Sequence, residues 1–145
     1  MTPDRRFEWG GLSAGRADFV TASEALGTLE RIVPGYADLS PETGVSDGDA
    51  VVRLSSRERW AIVSTPGTRW FSVRVDTGHR VRLDDTTSSR EEAAMLLTTF
   101  VEAAAAYVRD GAVVQGDRLI VTAFGRTFTL TRPLGDRLRR WVGRR

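Results

Sequence analysis

The 145-residue chain contains no cysteine, no lysine and no asparagine, and a single histidine, His79. Without cysteine there is no disulfide scaffold, no thiolate zinc site and no cysteine nucleophile. One histidine excludes a multi-histidine metal site and a His–His acid–base pair. Without lysine there is no Schiff-base chemistry and no P-loop lysine. All 21 basic side chains are therefore arginine. Lysine and asparagine codons are A-rich, so this composition points to a high-GC bacterial genome. The arginine excess says little by itself about phosphate or nucleic-acid binding.

A long hydrophobic run is also missing. The most apolar stretch, residues 93–108, is interrupted by Thr98, Thr99 and Glu102 and is too short and polar to span a bilayer. The first residues, MTPDRRFEWGG, lack the apolar core of a signal peptide. The expectation is a cytoplasmic protein with no membrane span.

What is present is an ordinary globular balance, 41% hydrophobic and 28% charged, which argues against disorder. A chain of this length forms one domain, burying roughly 68–70% of its unfolded surface. The net charge of +2 is uneven. Residues 133–145 hold five Arg and one Asp, net +4, and the remainder carries −2. The reading is a single domain over 1–132 with a basic C-terminal appendage over 133–145.

Local patterns give an α+β fold. Arg16–Val20 reads as a strand, and Thr21 with Glu24 forms a capping box. Ala22, Leu26, Leu29 and Val33 then follow at helical spacing, and Pro34-Gly35 stops the helix. Residues 34–50 read as a long loop carrying Asp38, Glu42, Asp47 and Asp49. Four strands are expected at Ala50–Leu54, Trp60–Thr65, Trp70–Val75 and Arg80–Asp84, separated by short turns, which is the spacing of an antiparallel meander. Phe71, Val73 and Val75 alternate with Trp70, Ser72 and Arg74, so one face is apolar and the other is arginine-rich.

Capping boxes at Ser88…Glu91 or Ser89…Glu92 open a long helix that Gly111 closes. Its apolar face is broad, and its exposed stripe includes Glu91, Met95, Thr98, Glu102, Ala106 and Arg109. The sheet's apolar face is the obvious place for it. A last hairpin is expected over Arg118–Phe124 and Thr127–Arg132 with its turn at Gly125-Arg126. The tail would add a short helix with Leu134, Leu138, Trp141 and Val142 on one side.

No motif nominates catalysis, a cofactor or a metal. His79 sits in the turn DTGHR with only Asp76 nearby, which reads as a solvent-exposed turn residue rather than a general base. Asp84, Asp85, Glu91 and Glu92 surround one junction, but neighbouring carboxylates diverge and the glutamates serve helix capping. Asp47-Gly48-Asp49 lacks EF-hand spacing, and there is no GxGxxG or GxSxG.

The arginine-rich face is the feature that packing leaves unexplained. Arg53, Trp70, Arg74, Arg80 and Arg82, with the loop acids Asp47 and Asp49, are the candidate partner-binding residues. Tryptophan and arginine are typical anchors of protein interfaces, which favours a protein partner over nucleic acid.

The block WFSVRVDTGHRVRLDD followed by SREEAAMLLTTFVEAAAAYV covers under a third of the chain. It resembles the small α+β immunity proteins of bacterial polymorphic toxin systems. That resemblance implies a non-enzymatic protein that occludes a toxin's active site, and it carries over no individual functional residue. A secretion- or sensory-chaperone-like dimer is the alternative, with Met95 and Ala106 suited to a homodimer contact. Its departure is the number of strands before the long helix. A small enzyme or ligand-binding domain with a spatially assembled site is the third class.

Overall fold

Two capping boxes start the helices where the sequence places them. In helix α1 (Ala22–Ile32), the Thr21 hydroxyl accepts from the Glu24 amide and the Glu24 carboxylate accepts from the Thr21 amide, each at 3.1 Å. In helix α2 (Arg90–Asp110), Ser89 and Glu92 make the same reciprocal pair at 3.2 and 2.9 Å. Both satisfy first-turn amides that have no partner within the helix. Pro34 does not end the first helical segment outright. The chain tightens into a 3₁₀ helix over Val33–Leu39 that buries Tyr36 and Leu39.

The computed structural model describes residues 20–85 and 89–132. The Arg16–Val20 strand, apart from Val20, lies outside the described residues. So do the tail helix and the appendage over 133–145.

Eight strands form one antiparallel sheet. They are β1 (Glu42–Ser46), β2 (Asp49–Ser55), β3 (Trp60–Thr65), β4 (Arg69–Val75), β5 (Arg80–Asp85), β6 (Val113–Gln115), β7 (Arg118–Ala123) and β8 (Arg126–Thr131). Their order in space is β1-β2-β3-β4-β5-β8-β7-β6. The fold is thus α+β, with α2 packed across the apolar face and α1 beside it over β1 and β2. No helix among the described residues is long and apolar enough to cross a membrane.

Two local expectations are corrected and one further strand is added. Residues 34–50 are not a loop, because they hold the 3₁₀ helix and β1. β1 is an edge strand with little burial, so it lacks the apolar alternation that marks a strand. The turn joining it to β2 is Asp47-Gly48, both at positive φ (53° and 84°), as a two-residue hairpin requires. β6 is a second exposed edge strand, too short to show a period. Finally, the last hairpin turns at Phe124-Gly125, one residue earlier than the spacing suggests.

The core lies between α2 and the alternating inward residues of the strands: Val52 and Leu54, Ala61 and Val63, Phe71, Val73 and Val75, then Val121 and Leu130. Phe100 on α2 is its keystone. Its ring packs 6.0 Å from Phe71 on β4 and 6.1 Å from Phe128 on β8. This matters because β5 and β8 share only one ladder pair, Arg80 opposite Thr131. Between the two halves of the sheet, side-chain packing on α2 supplies what the hydrogen-bond ladder does not. Removing such a ring costs about 3–5 kcal/mol.

Polar contacts fix the ends. Val20 crosses so close to the β3–β4 turn that a Cβ on Gly67 would lie 2.0 Å from the Val20 carbonyl oxygen, so only glycine fits there. At the other end of α2, Arg59 donates to the carbonyls of Val108 (3.2 Å) and Arg109 (3.0 Å). These are last-turn acceptors that a cation satisfies well. Arg109 in turn forks onto Asp38 at 3.0 and 3.1 Å, tying α2 to the 3₁₀ helix and holding the Asp38 carboxyl below its usual range. Asp76 accepts from the Tyr107 hydroxyl at 2.9 Å and from the Trp60 amide at 3.2 Å.

Burial first, and then the Asp76 hydrogen bond, push the Tyr107 phenol up from its ordinary value of 10 to about 12. The fold therefore favours the protonated phenol. Its contribution is complete below pH 10 and is lost as pH rises through 12. No lysine titrates in that window. Tyr107→Phe is expected to flatten the loss of stability between pH 10 and 12, measured by urea denaturation across that range. An unchanged slope would show that another group carries the alkaline limb.

Candidate protein-binding face

The same alternation that buries the core leaves the other side chains of β2–β5 on the face away from α2. Two cross-strand rows define it. One runs Arg53, Ile62, Arg74, Arg80, and the next runs Val51, Ser64, Ser72, Arg82. Ser64 and Ser72 hydrogen-bond to each other at 2.9 Å in the middle of the second row.

Arg53 and Arg74 are held by a tryptophan rather than by acids. The Arg53 and Arg74 guanidiniums each lie 5.6 Å from the Trp60 ring centre, reaching it from the strands on either side. Arg82 lies 4.6 Å from the Trp70 ring and pairs with Asp84 at 3.0 Å. Among the described residues, Arg53, Arg74 and Arg80 form no ion pair with a carboxylate. A guanidinium stacked on a ring uses its flat face and keeps its N–H edge for a planar acceptor.

Strand β1 and the Asp47-Gly48 turn bound this face on one side. Together they make an open cleft of about 730 Å³. All seven residues expected to bind a partner line it: Arg53, Trp70, Arg74, Arg80, Arg82, Asp47 and Asp49. The acids stand on the hairpin and the arginines on the floor. Sequence reasoning missed Ile62, which lies in the uninterrupted run Ala61-Ile62-Val63 where alternation cannot be read. It also missed Glu42, which faces Arg53 across the β1–β2 ladder, because β1 was hidden.

Other groups are taken up structurally. His79 is not the exposed turn residue expected from its position; it is 8% exposed. The β6–β7 turn folds over it, and its Nε2 donates to the Asp117 carbonyl at 3.0 Å while its Nδ1 lies 2.7 Å from the Thr77 hydroxyl. That contact joins segments 38 residues apart, which no local pattern could reveal. Asp76 is occupied by Tyr107 and Trp60. Glu92 is consumed by its capping box and Asp84 by Arg82. No group of three or more acidic or histidine side chains among the described residues is placed to hold a metal. A smaller cleft of about 340 Å³ lies between α1 and α2, beside the Glu24–Arg90 ion pair.

The floor has an internal cost. Arg74 and Arg80 are direct cross-strand neighbours, and like charges placed so are destabilising. Arg80→Thr is therefore expected to stabilise the isolated protein by about 0.5 kcal/mol, or roughly 1–2 °C in Tm, at low salt. Differential scanning calorimetry checks this, and a lower Tm would show that Arg80 is held by favourable contacts. Comparison of the chain with protein-family models, with curated proteins and with solved structures finds no match, so the reading of this face rests on its own residues.

Proposed function

We propose that the chain is a non-enzymatic protein-binding domain of the immunity or inhibitor type, which occludes a cognate toxin or effector with the open face of its sheet. One observation carries the reading. Among the described residues, Arg53 and Arg74 lie over Trp60 and Arg80 stands opposite Arg74, all three without a carboxylate partner and the last two in mutual repulsion. A fold has no reason of its own to keep such an arrangement, and an interface does, because Trp and Arg are the residues that most often dominate binding energy. The floor and its hairpin wall also span five strands, which suits a macromolecular surface. Catalysis finds less support, since His79 is committed to Thr77 and the Asp117 backbone.

The test is co-expression with the products of adjacent open reading frames, followed by size-exclusion chromatography with light scattering. The expected result is a stable one-to-one complex with a nanomolar Kd, in which the partner's activity is lost. Substrate turnover by the purified chain alone would overturn the proposal. So would a concentration-dependent homodimer that binds many unrelated clients, the outcome that exposed Met95 would favour.

A further inference from the structure

We infer that the cleft on the open face recognises an acidic segment of a partner protein, whose carboxylates sit on Arg74, Arg80 and Arg53 and whose basic end meets the Asp47–Asp49 hairpin. The inference rests on the open face being the binding face and specifies the chemistry of what binds there.

Charge complementarity selects this occupant over a nucleic acid. The floor is cationic, but Glu42, Asp47 and Asp49 stand on the wall of the same cleft. A polyphosphate is negative along its whole length and would meet that wall with repulsion. A protein segment can alternate its sign and satisfy both. Ring geometry gives the same answer. Sequence-tolerant binding of single strands uses bare aromatic faces on which bases stack. Trp60 carries guanidiniums from both neighbouring strands, and Trp70 carries one. The rings are engaged in orienting cations.

Carboxylates fit what the cations leave free. Arg74 and Arg80 lie opposite each other on adjacent strands, about 5 Å apart at the backbone. Arg53 lies two strands from Arg74 in the same row, roughly 10 Å away. Each guanidinium can fork onto a carboxylate, and an acid placed between Arg74 and Arg80 removes their repulsion.

The probes are a short blocked peptide of glutamates ending in lysines, an isomer of it with the charges interspersed, and oligothymidylate. Each is titrated at low salt against the full chain and followed by tryptophan emission. The block peptide is expected to saturate and to bind more tightly than its isomer and than oligothymidylate. The double variant Arg74→Ser/Arg80→Thr, which loses a repulsive pair and so keeps its fold, is expected to weaken peptide binding at least about tenfold. Asp47→Asn/Asp49→Asn is expected to weaken the peptide and tighten oligothymidylate. No saturable peptide binding, or tighter oligothymidylate binding by the unaltered chain, would overturn the inference.

The two readings fail separately. A protein partner bound equally by the unaltered chain and by Arg74→Ser/Arg80→Thr would leave the inhibitor reading standing and sink the carboxylate cleft. Peptide binding that meets every expectation, with no partner and no inhibition found, would keep the cleft chemistry and sink the inhibitor reading.

Discussion

The packing of Phe100 between Phe71 and Phe128 is the interaction on which the rest of the molecule depends. Five strands and three strands meet at a seam that a single residue pair spans. A ladder that narrow cannot carry eight strands as one sheet. Helix α2 lies across the seam and is buried along most of its length, from Ala93 to Val108. Burying each of its large apolar side chains is worth about 1.5–3 kcal/mol. The helix is itself pinned at its end by Arg59 on two carbonyls and by Tyr107 on Asp76. With both helices used on one side, no described element covers the other face.

That uncovered face explains why the arginines sit where they do. On a one-sided sheet, every second residue of β2–β5 must face away from the core. Solvent would accept almost any polar residue there. Instead the chain places Arg74 opposite Arg80 and sets two tryptophans beneath the cations. Cation–π contacts offset part of the repulsion and hold the donors in place before any partner arrives. The price is a little stability in the free protein.

The elements that follow from local chemistry were legible in the sequence. Thr21…Glu24 and Ser89…Glu92 mark helix starts, and alternation in Trp70–Val75 gives both faces of β4. Alternation of this kind along β2, β4 and β5 gave Arg53, Trp70, Arg74, Arg80 and Arg82 in the cleft, whereas Asp47 and Asp49 came from a stretch that reads as an acidic loop. What could not be read depends on partners distant along the chain. β1 is a strand only because β2 lies beside it, and its residues bury almost nothing that would mark it beforehand. His79 is buried because a turn 38 residues away closes over it. The cleft as a concave shape was equally hidden, since its wall is β1.

The account's central claim is that binding takes place on the sheet and not on the helices. Oxidative footprinting of a captured complex tests this directly. Trp60 and Trp70 report the open face, and Met95, 69% exposed on α2, reports the opposite side. The account predicts that a bound partner protects both tryptophans and leaves Met95 as reactive as in the free chain. Protection of Met95 with the tryptophans still reactive would contradict it.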